Sequence, residues 1–446
     1  MTSRLLDSLG TTDALAELFG DQSVLGRMLD VEVALARAEA AAGVIPDAAA
    51  RTIASAAQAE EFDVRAIAGA AIASATPVIA FVDALVDRVR RVDEESARYV
   101  HWGATSQDVA DSALALLIAR ARAILAPDHA RVTRALRRLS DEHAATVMIG
   151  RTLLQPATPT TFGLKAAAWY AAAESSWRRL HHAFDEGATL QFGGASGTLA
   201  ALGTKGPEVA DALARELGLS PSTPWHTDRV RLCTLVAACG TYTGALGKIA
   251  RDVSLLMQAE VGELAADGGG SSTMPQKNNP AGCAVALAAA ARLPGLVATM
   301  MSAMVQEHER AVGGSQAEWP VTAEAIQATG AAVFALAGTF ETLRVVPERM
   351  RANLEATRGT IYSEPIALRL RAALGREAAE RIVAEALERS REGATTMLDA
   401  LVSLPDVTRV VPRGDLETMM RPEAYLGAAE RFRRALLGMA PVRVPA

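Results

Sequence analysis

The segment Gly270-Ser271-Ser272-Thr273-Met274-Pro275-Gln276-Lys277-Asn278-Asn279-Pro280 brings hydroxyl groups, a cation and glycines together in one loop. A phosphate-binding loop is excluded, because its lysine directly follows the last glycine and precedes Ser or Thr, whereas Lys277 lies six residues beyond Ser271. A serine acts as a base only when nearby cations or N–H groups stabilise its alkoxide. The combination of hydroxyls, a cation and glycines therefore predicts a catalytic loop.

A second cluster, His101-Trp102-Gly103-Ala104-Thr105-Ser106-Gln107-Asp108, precedes a periodic apolar segment. Thr105 and Asp108 have the spacing of a capping box, which predicts that a helix begins here. A helix start presents free N–H groups, and together with the hydroxyls of Thr105 and Ser106 these would bind a carboxylate. Such a box is usually no more than a cap, but beside the Ser271 loop it favours a substrate site.

Composition indicates a soluble enzyme of the cytoplasm. The 446 residues are 50% hydrophobic with a net charge of −6, which allows large cores and provides no basic surface for nucleic acid. The three cysteines form no CxxC pair and are expected to be reduced thiols. The amino terminus has no basic leader, and no run of 18 uncharged apolar residues occurs, so neither export nor membrane insertion is expected.

Apolar periodicity of three and four residues predicts an all-α protein, since alternation typical of strands is rare. The longest predicted helix spans residues 229–264, a length typical of bundled assemblies. Two more are predicted over residues 162–185 and 280–304, the latter with a break near Pro294. Together they predict a central long-helix bundle that assembles into a multi-helix core shared between subunits.

Three domains are predicted from the length and from changes in pattern. An amino-terminal helical domain would cover residues 1–98, a central helix-bundle domain residues 99–340, and a carboxy-terminal helical domain residues 341–446.

The signature loop and the His101 cluster resemble conserved blocks of the fumarase/aspartase superfamily, whose members make or break a bond β to a carboxylate. Further stretches extend the resemblance along most of the chain: Gly150-Arg151-Thr152-Leu153-Leu154-Gln155, Gln191-Phe192-Gly193-Gly194-Ala195-Ser196-Gly197-Thr198-Leu199, Trp225-His226, Gln306-Glu307-His308-Glu309-Arg310 and Glu318-Trp319. The resemblance implies a three-domain helical fold and a homotetramer with active sites shared between subunits.

Leu153 departs from most of the superfamily. Fumarases and the adenylosuccinate and argininosuccinate lyases typically have His at this position, directly after Arg-Thr, as general acid or its assistant. Hydroxide and amines need a proton to leave, whereas a carboxylate of pKa about 4 departs unaided. The bacterial 3-carboxy-cis,cis-muconate cycloisomerase branch fits this demand, and the stretches at residues 191–195 and 307–310 resemble it in particular. The resemblance implies lactone formation in protocatechuate catabolism (the β-ketoadipate pathway). Gln276 and the run at residues 313–316 depart from that branch and leave room for a different substrate.

The resemblance implies that Ser271 is the carbon base. Its alkoxide would then be stabilised by Lys277, by backbone N–H groups of the glycine loop or by the start of the helix after Pro280. Lys277 and Asn279 are the candidates for binding the aci-carboxylate. Nine further residues are implied to contact a small polycarboxylate substrate: His101, Thr105, Ser106, Thr152, Gln155, Ser272, Met274, Asn279 and Arg310. His308 is expected to be structural, and His226 either lines the pocket or is a buried, hydrogen-bonded residue. No recognisable metal-ligand set occurs, so neither a metal nor a cofactor is expected.

Other functions stay open from the sequence. A lyase that expels another good leaving group, such as nitrite from nitrosuccinate, would also tolerate Leu153. An adenylosuccinate- or argininosuccinate-type lyase would need its acid from elsewhere, which disfavours it. A non-catalytic structural member is disfavoured by the intact Ser271 and Lys277.

Overall fold

A computed structural model describes residues 4–270, 272–274, 276–393 and 395–438, and helices dominate it, as predicted. In chain order the helices and strands are α1 (Arg4–Asp7), α2 (Asp13–Leu18), α3 (Asp21–Ala41), α4 (Asp47–Ala56), α5 (Val64–Ser74), α6 (Val78–Val92), α7 (Ser106–Glu142), β1 (Val147–Thr152), β2 (Gln155–Thr161), α8 (Phe162–Gly187), α9 (Gly206–Leu217), α10 (Val230–Leu256), β3 (Leu264–Ala265), α11 (Ala281–Ala303), α12 (Gly314–Thr342), β4 (Arg344–Val345), α13 (Pro347–Glu355), α14 (Ser363–Leu374), α15 (Arg376–Glu392), α16 (Met397–Val402), α17 (Pro405–Val410), α18 (Arg413–Met419) and α19 (Ala429–Leu436). Short 3₁₀ turns connect several of them.

The chain divides into two compact units, each built from three stretches of sequence. The first unit comprises Met1–Ala130, Ser175–Lys248 and Ala284–Ala337. One apolar cluster joins α3, α4 and α6 to the first turns of α7, with Phe81 and Leu85 fully buried. A smaller cluster joins α3 to α9 and to residues 190–202. These two clusters fix the surroundings of the His101 cluster.

The second unit comprises Arg131–Glu174, Ile249–Cys283 and Gly338–Ala446. Its apolar core is formed by helices α13 to α18, with Ile366, Leu370 and Met397 fully buried. Two antiparallel strand pairs, β1–β2 and β3–β4, also lie in this unit. The prediction of three domains over residues 1–98, 99–340 and 341–446 stays a prediction.

Two of the three predicted long helices differ from the prediction, one in where it ends and one in its continuity, although α11 begins and ends within one residue of the predicted 280–304. The helix predicted over residues 229–264 ends at Leu256, because Gly262 adopts a φ of 58° and the chain turns into β3. Helix α11 runs through Pro294 as one element, so the predicted break there is wrong. The helix predicted over residues 162–185 is confirmed within two residues as α8.

Three helices, α10, α11 and α12, are long and apolar enough to cross a membrane by length and composition alone. The strict rule of 18 uncharged residues misses α11 because Arg292 interrupts it. In the most apolar 18-residue segment of each helix, the share buried within the chain is 56% for α10 and 67% for α12, but only 22% for α11. Helix α11 therefore leaves an apolar surface that the described part of its own chain does not cover.

Candidate active site

The predicted capping box at the start of α7 is half formed. Asp108 accepts a hydrogen bond from the backbone N–H of Thr105 at 3.1 Å, which is the return bond of such a box. The hydroxyls of Thr105 and Ser106 make no hydrogen bond to any described residue, and both residues are half-buried. The helix start thus presents two free hydroxyls beside its N–H groups, as carboxylate binding would require.

Asp108 holds a glycine-containing loop against this helix start. Its buried carboxylate accepts hydrogen bonds from the backbone N–H groups of Gly193 at 3.0 Å and Gly194 at 2.8 Å. It also accepts one from the side chain of Gln191 at 2.9 Å and lies 3.0 Å from Nε2 of His226. Of the two expectations for His226, the structure shows a buried, hydrogen-bonded ring. Asp108 therefore caps α7 and also connects the start of this helix to the loop and to His226.

Glycine is required in this loop by close packing. A Cβ atom on Gly193 would lie 2.7 Å from the ring of His226, and one on Gly194 would lie 2.9 Å from the carbonyl oxygen of Gly103. Gly194 also has a φ of 68°, a conformation that residues with side chains adopt at a cost. The loop can therefore approach the His101 cluster more closely than a loop of larger residues could.

A buried arginine connects the next helices of the same unit. The guanidinium of Arg229 donates two hydrogen bonds to Asp111 of α7, at 2.7 and 3.0 Å, and one to Glu318 of α12 at 2.7 Å. Burial lowers the pKa of Arg229, but the two carboxylates outweigh it, so that the pKa lies above its ordinary value. Glu318 in turn accepts a hydrogen bond from Gln306 at 2.6 Å.

Arg310 lies in the non-helical segment between α11 and α12. Its guanidinium donates a hydrogen bond to the carbonyl oxygen of Ala195 at 3.1 Å, and the segment is further held by Thr227, which donates to the carbonyl oxygen of His308 at 2.9 Å. Arg310 is exposed, so most of its donors are available to a ligand. The first unit therefore brings Arg310 to the loop that Asp108 holds.

The ring of His101 contacts a buried carboxylate. Its Nδ1 lies 2.6 Å from Oε1 of Glu32, a residue of α3 that is 1% exposed. Burial lowers the pKa of His101, but the charge and hydrogen bond of Glu32 and the charge of Asp108 outweigh burial and raise it above the ordinary value. The backbone of His101 has a φ of 59°, which is uncommon outside glycine.

In the second unit, Thr152 and Gln155 face each other at the end of the β1–β2 hairpin. The two residues between them, Leu153 and Leu154, have positive φ angles of 50° and 64° and are 96% and 72% exposed. Arg151, the residue before Thr152, is held by two hydrogen bonds of 2.9 and 2.7 Å to the buried Glu263. The hairpin tip thus presents apolar side chains on an anchored base.

The described part of the signature loop is closed by backbone contacts. The N–H of Asn279 donates to the carbonyl oxygen of Gly269 at 2.7 Å, and a Cβ atom on Gly269 would lie 1.9 Å from the carbonyl oxygen of Asn279. Asn278 donates to the carbonyl oxygen of Ala266. Lys277 is exposed, and its ammonium group makes no hydrogen bond or ion pair with any residue that the structure describes.

The predicted residues thus fall into two groups. His101, Thr105, Ser106 and Arg310 belong to the first unit, and Thr152, Gln155, Ser272, Met274, Lys277 and Asn279 to the second. Ser271, the predicted base, lies outside the described residues. Their roles stay predictions. No group of three or more His, Cys, Asp or Glu in the described ranges could hold a metal ion.

Sequence reasoning missed the buried polar network below the first group. Its members are Glu32, Asp111, Gln191, Arg229 and Glu318, each at most 1% exposed. A charged residue in an otherwise apolar helical segment was the available signal, because such a residue must find a partner when the segment is buried. The sequence alone does not say which partner it finds.

Comparisons with known protein families match most of the chain. A family model described as "Lyase" matches residues 8–295, and one described as "Adenylosuccinate lyase C-terminus" matches residues 359–435.

Individual relatives match almost end to end. A 3-carboxy-cis,cis-muconate cycloisomerase from Bradyrhizobium diazoefficiens is 43% identical over 98% of both chains. A nitrosuccinate lyase from Streptomyces davaonensis is 38% identical over 96% of this chain and 93% of its own. Among solved structures, the 3-carboxy-cis,cis-muconate lactonizing enzyme from Pseudomonas putida matches with a TM-score of 0.91 and 39% identity over 98% of both chains.

Proposed function

Because the chain belongs to the fumarase/aspartase superfamily of lyases, we propose that it is an enzyme that lactonises 3-carboxy-cis,cis-muconate to 4-carboxymuconolactone. Three of the relatives named for this reaction are 42–43% identical to the chain. In an organism with the corresponding pathway, the reaction would serve protocatechuate catabolism in the cytoplasm.

One observation carries this choice of reaction. The hairpin residue that follows Arg151-Thr152, where most of the superfamily is expected to have a histidine, is Leu153, and its side chain is 96% exposed at the tip. A leucine cannot donate a proton, so an amine or hydroxide leaving group would lack its acid at this position. A carboxylate, which is the leaving group when the lactone opens, needs none.

The proposed reaction uses the substrate, one serine and one proton taken up from solvent. A substrate carboxylate oxygen forms a C–O bond to the neighbouring alkene carbon, and the alkene electron pair moves onto the conjugated carboxylate as an aci-carboxylate. The Ser271 hydroxyl then delivers its proton to the α carbon, and its alkoxide regains a proton from solvent, so each lactonisation takes up one proton. In the reverse direction Ser271 removes the α proton and passes it back to solvent. Lys277 and the loop N–H groups would stabilise the serine alkoxide and the aci-carboxylate, an oxyanion role worth several kcal/mol.

The substrate has three carboxylates, and the chain offers separate donors for them. The free hydroxyls of Thr105 and Ser106 at the start of α7 suit one carboxylate, and the exposed guanidinium of Arg310 suits another through two parallel hydrogen bonds. Thr152 and Gln155 would supply further hydrogen bonds from the hairpin. Ser272, Met274 and Asn279 are proposed to line the loop side of the site.

We also propose a homotetramer in which blocks from different subunits complete each active site. Only 22% of the apolar 18-residue segment of α11 is buried within the chain. The remaining apolar surface supports the proposal that α11 packs against other copies of the chain. Arg292, the one charged residue of α11, lies 3.7 Å from a carboxylate oxygen of Asp7 and 3.7 Å from one of Glu324. Because these ion pairs form within the chain, the charge of Arg292 does not need a lipid head group as a partner.

A second candidate is the release of nitrite from nitrosuccinate. It is favoured by the 38% identity to a nitrosuccinate lyase and by Leu153, because nitrite also leaves without a proton donor. Both candidates use the same base and differ in the substrate that the site accepts.

The ultraviolet absorbance of the substrate diene tests the proposal. Wild type should remove the absorbance of 3-carboxy-cis,cis-muconate without added metal, and Ser271→Ala should be slower by about a thousandfold or more, as for removal of a proton-transferring residue with its support. Ser55→Ala, an exposed serine of α4, is the matched control and should be unaffected. A diene that stays intact with wild type would reject the assignment, and nitrite release from nitrosuccinate would then be measured.

A further inference from the structure

Glu32 on α3 is a buried carboxylate with one polar partner in the described chain. It is 1% exposed, and Nδ1 of His101, at 2.6 Å, is its only hydrogen-bonding or ionic contact among the described side chains. A buried carboxylate without a neighbouring cation is strongly unfavourable, so a negative charge on Glu32 favours the positively charged form of the His101 ring. This contact lies at the start of α7, where the site is proposed.

A second buried carboxyl stands two helical turns further along α3. Glu39 is 0% exposed, and neither of its carboxyl oxygens has a hydrogen-bond partner among the described residues. Burial, with the charge of Glu32 added, raises the pKa of Glu39 to about 9. Glu39 is therefore neutral at physiological pH and adds no negative charge beside Glu32.

The other charged group near His101 adds to the same field. Asp108 of α7 favours the protonated ring, although its carboxylate is shared with His226 and with three loop donors. The His101 side chain is 20% exposed, so an edge of the ring reaches the surface. Its left-handed backbone conformation carries a strain that functional sites often retain.

We propose that Glu32 is a positioning residue that holds His101 as an imidazolium beside the Thr105 and Ser106 hydroxyls, where the ring binds a substrate carboxylate. Glu32 itself touches no substrate. This inference rests on the proposed function, because it assigns a third cationic contact, besides Lys277 and Arg310, to a substrate of three carboxylates.

The direct test is the titration of His101 by NMR with histidine-selective ¹³C labelling, which is feasible because the chain has seven histidines. His101→Gln identifies the resonance by its disappearance. Glu32→Gln should lower the titration midpoint of His101 by about one pH unit or more, since the opposite charge is lost in a buried site. Glu39→Gln is the matched control on the same helix, and it should leave the midpoint within a few tenths of a unit because Glu39 is already neutral.

Binding and turnover give the second readout. In Glu32→Gln the KM should rise about tenfold at pH 8, as for the loss of one charge-assisted hydrogen bond, while kcat changes much less. The basic limb of kcat/KM should move to lower pH, because an imidazolium with a lower pKa releases its proton earlier. A structural role alone would not move that limb.

Equal His101 midpoints in wild type and Glu32→Gln would overturn the inference, as would equal shifts in Glu32→Gln and Glu39→Gln. The titration needs no substrate, so it decides even if wild type fails to convert the diene. If Glu32→Gln does not fold, calorimetric binding of tricarballylate decides instead. Wild-type affinity should fall as the pH rises through the His101 midpoint, and His101→Gln should show no such fall; parallel pH profiles would refute the proposal.

Discussion

Replacing Glu39 by Gln should stabilise the fold, and increasingly so as the pH rises. Glu39 is fully buried, and neither carboxyl oxygen is hydrogen-bonded within the part of the chain that the structure describes. Its pKa rises from 4.5 to about 9 on folding, so the native protein keeps a proton that the unfolded chain has released. A carboxyl of raised pKa therefore costs stability above its unfolded pKa, and the cost grows until the pH passes about 9.

The size of the effect follows from the shift. From 4.5 to pH 7 is 2.5 pH units, and at about 1.4 kcal/mol per unit the retained proton costs about 3 kcal/mol at pH 7. Between pH 5 and pH 8 the difference in unfolding free energy between Glu39→Gln and wild type should grow by about 4 kcal/mol. Any constant offset from placing an amide in this pocket cancels in that change.

Urea unfolding followed by circular dichroism at pH 5, 6.5 and 8, at one protein concentration, measures the difference. Glu17→Gln, which removes an exposed carboxyl from α2, controls for the loss of one acidic group and should differ from wild type by less than about 0.5 kcal/mol. A difference between Glu39→Gln and wild type that does not change from pH 5 to pH 8 would refute the reasoning, because Glu39 would then ionise alike in both states.

Two further changes test the loops around the site. Gly269→Ala should lower kcat at least about tenfold, because the added Cβ would lie 1.9 Å from the carbonyl oxygen of Asn279 and must displace the signature loop. Gly270→Ala is the control and should have a much smaller effect, because its added Cβ would meet no described atom within 4 Å. Equal kcat values for the two variants would contradict this account. Asp108→Asn should cost about 2 kcal/mol or more in urea unfolding, because its amide nitrogen would face a donor such as the N–H of Gly194; an unchanged unfolding midpoint would speak against it.

Much of the fold could be predicted from local pattern. The helix α8 was predicted within two residues, because apolar periodicity and the absence of breakers act within the segment itself. The end of α10 was not, since residues 257–263 keep helix-compatible composition while Gly262 and the β3–β4 pairing turn the chain. Pro294 predicted a break in α11, but the helix continues through it. The error at the end of α10 arises because the β3–β4 pairing joins segments that are far apart in sequence.

The candidate site was predictable only where residue types carry the chemistry. The hydroxyls of Thr105 and Ser106 could be found, because the spacing of Thr105 and Asp108 marks a helix start. The ring contact between His101 and Glu32 spans 69 residues of sequence, and no local pattern encodes it. The same holds for Arg229, whose two carboxylate partners come from two other helices. A buried charge announces that a partner exists, and only the tertiary fold supplies its identity.

The Leu153-Leu154 turn indicates which substitutions selection would accept at these two positions during evolution. Both residues hold positive φ angles, which a two-residue hairpin turn usually reserves for Asn-Gly, and both leucines are exposed. Each position costs on the order of 1 kcal/mol of backbone strain. A library selected for folding alone should therefore drift towards Asn-Gly here, whereas one selected for turnover should retain an apolar pair if the tip takes part in the reaction. The divergence of the two libraries would separate what the fold prefers from what the function demands.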